Sequence, residues 1–193
     1  IQSQGEDWEF LRRLGFNTIQ SRTPVTGEQV QEAERLGLWL IAPPPLGWKG
    51  GDLSQPYRRV IAWNLGDGLT SHHVATKRSQ AVATRAADAA TRRPILCSPD
   101  TDLASYDEFV DIMVHRREPI GSGFRLPHYR GWLATRSELS LAGTPHWAVI
   151  QTESLPSVIT QAVAFGYPRS EPSRIGASEI VLITAEEMES LAL

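Results

Sequence analysis

The sequence predicts an α/β fold in which parallel strands alternate with helices, and three observations predict it. Short β-branched or aromatic runs recur along the 193 residues, each separated from the next by a loop and a stretch with helical spacing. Most of these runs are continuously apolar instead of alternating, as expected of strands covered on both faces. None is followed by a G-x-G-x-x-G turn or a phosphate-binding loop. That disfavours a doubly wound open sheet and favours a partial (β/α)8 barrel of the TIM type.

The elements follow in order. Glu6–Leu14 carries Trp8, Leu11 and Leu14 at helical spacing and ends at Gly15, a natural C-terminal stop. Asn17–Gln20 is the first strand, leaving through Ser21-Arg22-Thr23-Pro24. Thr26 caps a second helix with Val30, Ala33 and Leu36 on its apolar side and Gly37 at its end. Leu38–Ala42 is an unbroken apolar strand stopped by Pro43-Pro44-Pro45, and Val60–Trp63 is the next, with Asn64–Gly68 as its exit loop. An alanine-rich helix spans about Val74–Ala90, and Pro94–Cys97 is a strand followed by Ser98-Pro99-Asp100. A short helix at Tyr106–Phe109 precedes the strand Ile112–His115. Helix Trp132–Leu139 precedes strand Trp147–Gln151, and Ser178 caps a last helix with Ile180, Ile183 and Leu191 on one face.

Composition narrows the function classes. With 19 Lys+Arg against 22 Asp+Glu the net charge is −3, which argues against a dedicated nucleic-acid binder. Only Lys49 and Lys77 are lysines, which reads as a coding bias. No apolar run approaches the roughly 18 residues of a membrane span. The single Cys97 excludes an internal disulfide and any multi-cysteine metal site. No H-E-x-x-H, no G-x-S-x-G and no cofactor fingerprint occurs, so neither metal nor cofactor is expected. The chain opens on Ile1-Gln2 and closes in a run without Gly or Pro, as expected of a segment of a longer polypeptide; its compartment is not readable.

The segments LGFNTIQSRTP, GLWLIAPPP, VIAWNLGDG and RPILC resemble the middle strands of clan A glycoside hydrolases. In that family strand 2 carries "G-x-N-x-(V/I)-R", strand 4 closes on "W-x-x-G-N-E", and strand 7 ends in a Glu. The fit runs from Trp8 to about Glu153. It implies one barrel domain over residues 1–193 that begins at the exit of strand 1 and stops before strand 8, since a whole barrel takes about 250 residues. An incomplete barrel has two unpaired edges and is expected to be poorly stable by itself.

The same resemblance assigns residues. Aligning Trp63 and Gly66 puts Asp67 on the family's Asn and Gly68 on its acid/base Glu. Glycine has no proton to donate, and Asp67 projects differently from its neighbour. The strand 2 Arg falls on Gln20, with Arg22 able to reach the same rim. VIQTE places Glu153 where the family's nucleophile sits. A retaining glycosidase needs two carboxyl groups about 5 Å apart, one of them an acid. One of the two stands at its expected position, so the resemblance implies a degenerate, non-catalytic barrel, serving as a carbohydrate-binding or structural module. The competing expectation is an active glycosidase with a relocated acid, Asp67 or a carboxylate outside this segment.

Each candidate has a plainer alternative. Glu153 could be a solvated loop carboxylate, and Asp67 a turn former between two glycines. His115, Arg116 and Arg117 end a strand and could hold an anionic sugar, or Arg116 and Arg117 could be a surface pair neutralised by Glu118. His128, Tyr129 and Arg130 could line the same mouth or simply pack a loop. His72 and His73 diverge by about 100° on a helix and lack zinc spacing. Cys97 reads as a small buried residue. Of six tryptophans, Trp48 in PPPLGWKGG is suited to stack on a sugar ring, Trp39, Trp63 and Trp147 read as core, and Trp8 and Trp132 pack helices on the barrel. Gln20, Trp48, Asp67, His115 and Glu153 are then expected at the C-terminal mouth of the barrel.

Overall fold

The computed structural model describes residues 1–2, 5–45, 47–48, 51–117 and 126–150. The expected last helix, Gln151, Glu118 and Glu153 lie outside the described residues. The chain divides into two compact units, Ile1–Val114 with Leu141–Pro145, and His115–Ser140 with His146–Leu193.

The order of elements is α1 (Trp8–Arg13), β1 (Thr18–Gln20), α2 (Gly27–Leu36), β2 (Trp39–Ala42), β3 (Val60–Leu69), α3 (Val74–Ala87), β4 (Ile95–Pro99), α4 (Leu103–Asp107), β5 (Ile112–Arg116), α5 (Leu126–Glu138) and β6 (His146–Val149). The strands are ordered β1-β2-β3-β4-β5-β6, without a reversal, and the pairs from β1 to β5 are parallel. This is the expected order, and helices alternate with strands as expected except between β2 and β3, where no helix is found among the described residues.

Local chemistry explains why these segments form. Thr26 and Gln29 make a reciprocal cap on α2: Gln29 N–H donates to Thr26 Oγ1 at 3.2 Å, and Thr26 N–H donates to Gln29 Oε1 at 2.9 Å. Gly37 ends that helix at φ +67, a left-handed turn that suits glycine. Register sorts the strand residues of the first unit onto two faces. Ile19, Leu40 and Val60 are cross-strand partners, as are Ala42, Trp63 and Ile95, and Cys97 partners Met113. All of these join one core cluster with Val30 and Ala33 of α2, Ala81 of α3 and Tyr106 of α4. The opposite face carries Gln20–Ile41–Ala62 and Asn64–Leu96–Ile112. Ala62 and Leu96 there are each 2% exposed, so the strands lack alternation because both faces are buried.

Several boundaries differ from expectation. β3 runs through Asn64–Gly68 to Leu69, because Asp67 pairs with Ser98 and Leu69 with Pro99, so the expected exit loop is strand. The fourth helix forms at Leu103–Asp107, ahead of the expected Tyr106–Phe109. α5 begins six residues before Trp132, with Pro127 in its first turn, where a missing N–H costs nothing. Trp63 is fully buried, but Trp39 is 40% and Trp147 44% exposed. Each lies at or next to the first residue of its strand, and the Arg59 guanidinium covers the Trp39 ring at 4.9 Å.

One buried polar knot ties the first unit together. Asp88, just past α3, accepts from Trp63 Nε1 at 3.1 Å, from Arg93 N–H at 2.9 Å and from the Arg93 guanidinium at 3.0 Å. Arg93 also donates to the carbonyls of Leu53 and Ser54. Burial pulls the Arg93 pKa down, and Asp88 and Asp52 oppose that shift.

Candidate functional site

In the first unit the candidate groups cluster around the ends of β3 and β4. Asn64 is buried, and its Oδ1 accepts from Gly66 N–H at 2.9 Å, a side-chain turn that bends the strand just ahead of Asp67. Asp67 is exposed and opposite Ser98. Gly68 follows at φ +65, in the left-handed region. A Cβ there would meet only Asp100 Oδ2, at 3.8 Å, so the space beside Gly68 is open except for that carboxylate. Asp100 is fixed by its own N–H, which donates to Leu69 O at 2.8 Å. Lys77 of α3 reaches the same strand end: its Nζ lies 3.7 Å from where a Gly66 Cβ would be and donates to Gln80 Oε1. Desolvation lowers the Lys77 pKa, and nearby Cys97 opposes that shift.

Asn64, Lys77 and Asp100 were not marked by the sequence as site residues. The rarity of lysine was a usable signal for Lys77. Nothing local marks Asp100, whose place depends on pairing across two strands.

Cys97 is fully buried, and its thiol is pushed up to about 12, first by burial and then by the Asp107 carboxylate, with Lys77 opposing. It is inert as a nucleophile. An alkylating reagent at pH 8 is expected to leave Cys97 unmodified in the folded chain and to label it fully in denaturant. Equal labelling rates in the two states would show that β4 opens readily.

The other expected ligand groups of this unit are less concentrated. Gln20 is half-buried at the end of β1, with its N–H on Ile1 O at 2.7 Å, and Arg22 is exposed. Trp48 is half-buried: its indole N–H donates to Gly51 O at 2.6 Å and its ring meets Tyr57 edge-on at 5.8 Å. Tyr57 in turn meets Trp63 at 5.5 Å, so Trp48 is the outer end of an aromatic ladder into the core. His72 and His73 are exposed in a 3-10 turn, and His73 Nδ1 accepts from Thr70 N–H, a capping role.

In the second unit His115 is 3% exposed, not open at a mouth. Strand alternation turns it to the same side as Met113, and the edge of Trp132 from α5 closes over it at 6.1 Å. Its Nε2 meets His146 Nδ1 at 2.6 Å. Burial above all, then His146 and Arg136, lowers its pKa to about 4. Arg116, the next residue, is half-buried. Tyr129, expected in a loop, is in α5, buried and stacked on Trp132 at 5.7 Å. Burial raises its pKa. Glu153 lies outside the described residues.

Among the described residues no group of three or more His, Cys, Asp or Glu is arranged to hold a metal ion, and no helix is long and apolar enough to cross a membrane.

No protein-family model and no curated protein matches the chain. Solved structures give partial likenesses. A β-glucuronidase from Ruminococcus gnavus in complex with N1-substituted uronic isofagomine aligns with a TM-score of 0.48 and 17% identity, over 71% of this chain and 29% of that one. A glycosyl hydrolase family 2 member from Bacteroides cellulosilyticus gives 0.48 and 16%, over 82% and 22%. A β-glucuronidase from Parabacteroides merdae with glycerol in its active site gives 0.47 and 15%, over 79% and 23%. The chain therefore spans less than a third of the length of each structure it is similar to.

Proposed function

We propose that this chain supplies strands 2 to 7 of a glycosidase-like (β/α)8 barrel, and that this barrel binds carbohydrate without hydrolysing it as a module of a longer polypeptide. The observation that carries the reading is Gly68. The resemblance gives its position to the acid/base, yet the residue has no side chain and its backbone sits at φ +65, a conformation that favours glycine. A positioned general acid contributes about 10²–10⁴-fold to such a reaction, and that contribution is absent at this position. Polar groups suited to sugar hydroxyls remain in Gln20, Arg22 and Asp67, with Trp48 for ring stacking. Arg116 beside Arg117 would favour an anionic sugar, and Glu153 would accept from a sugar hydroxyl.

One observation favours a second reading, an active glycosidase with a relocated acid: the Asp100 carboxylate 3.8 Å from the place of a Gly68 Cβ. In that reading Asp100 or Asp67 donates the proton and Glu153 is the nucleophile.

A glycan array and a screen of chromogenic glycosides on the full-length polypeptide separate the two. The expected result is glycan retention, weakened by Trp48→Ala, with no hydrolysis above buffer. Hydrolysis abolished by Glu153→Gln and by Asp100→Asn would establish the second reading. Robust hydrolysis indifferent to Glu153→Gln would place the chemistry elsewhere.

A further inference from the structure

We propose that His115 and His146 form an acid-sensitive latch that holds α5 against the end of β5 and the start of β6. Their rings stack with centroids 5.0 Å apart, and the 2.6 Å contact joins Nε2 of one to Nδ1 of the other. One nitrogen must donate and the other accept, so at least one of the facing nitrogens lacks a proton. Trp132 closes on His115 from α5, and Tyr129 stacks on Trp132, so the helix meets the strand ends through this chain of rings.

Three features make a proton unwelcome there. His115 is almost fully buried, and its Nδ1 has no hydrogen-bond partner among the described residues. A neutral imidazole can present a lone pair at that atom, whereas an imidazolium would bury an N–H with no acceptor. Arginines also lie close by, and the Arg136 charge disfavours a proton on His115. Arg136 of α5 lies over the Trp132 ring at 4.8 Å, and Arg117, just past β5, lies over it at 5.4 Å. Among the described residues, the other titratable groups of the cluster are His146 on β6, Tyr129 on α5 and Arg116 at the end of β5.

The direction of the effect follows. An imidazole whose pKa in the folded state lies below its ordinary value of about 6.5 binds fewer protons folded than unfolded. The latch is at full strength above that value and weakens as the pH falls from about 6.5 towards about 4, the His115 pKa in the folded state. The closed-to-open ratio of α5 drops by up to tenfold per pH unit over that window, on the order of 300-fold in all.

Amide hydrogen exchange on the full chain, corrected for intrinsic rates, tests this between pH 7.5 and 4.5. The α5 amides are expected to lose protection up to tenfold per unit below pH 6.5 while β3 amides hold theirs, and His115→Phe, which keeps a ring in place, should flatten that dependence. α5 protection that tracks β3 at every pH, or an undiminished pH dependence in His115→Phe, would overturn the latch. The titration of the His115 Cε1–H proton in the unaltered chain needs no variant. A midpoint well below 6.5 is expected, and one at or above 6.5 would equally overturn the proposal.

Discussion

Replacing Asp88 with alanine is expected to cost about 3–5 kcal/mol of folding free energy, the range for breaking a buried ion pair from one side. Arg93 stays charged at any ordinary pH, and with its guanidinium buried it would keep the carbonyls of Leu53 and Ser54, the Trp63 ring and the Asp52 charge but lose its hydrogen-bonded carboxylate. Trp63 would lose the acceptor for its indole N–H in a fully buried position. Domains have only about 5–15 kcal/mol in reserve, so a loss of this size should be visible as a much lower urea midpoint followed by tryptophan fluorescence. Asp88→Asn keeps one acceptor and should lose less. The double change Asp88→Leu with Arg93→Met removes both charges and should recover part of the loss. A cost below about 1 kcal/mol for Asp88→Ala would mean that water reaches the pair and that the knot is peripheral to stability.

How far the sequence revealed this molecule depended on whether the deciding interaction was local. The cap at Thr26 and the stop at Gly37 depend on atoms within a few residues, so they were readable directly. Leu38–Ala42 was readable because burial on both faces leaves a continuous apolar run. Gly66-Asp67-Gly68 has the composition of a turn, yet pairing with β4 from some thirty residues away keeps it in the strand. Tertiary pairing overrode propensity there. The same distinction separates the candidate residues. Asp67 stands out in the sequence because it sits in the motif, whereas Asp100 comes near that motif only when two strand ends lie side by side. His115 was expected at an open mouth because it ends a strand. Alternation along β5 decided otherwise and put it under a helix, a fact about which side of the sheet is covered.

Substituting Glu for Gly68 carries the largest expected change in activity. The backbone at φ +65 should make the variant about 1–2 kcal/mol less stable, since a Cβ in the left-handed region crowds its own carbonyl. Packing adds little to that, because the nearest atom to the new Cβ is Asp100 Oδ2 at 3.8 Å. Gly68→Ala should show the same loss of stability and so isolates the backbone cost. The new carboxyl would stand beside Asp67 and Asp100, and like charges disfavour ionisation, which raises its pKa towards what a general acid needs. If Gly68 occupies the acid/base position, the variant full-length protein should gain aryl-glycoside hydrolysis of about 10²–10⁴-fold over the unmodified chain. The gain should be greatest on the acid side of neutrality, where the new acid is still protonated. It should vanish in Gly68→Glu with Glu153→Gln, which removes the carboxylate proposed as nucleophile, and be absent in Gly68→Ala. A folded Gly68→Glu protein with no gain would show that Gly68 is a turn of the strand and not the place of a lost acid.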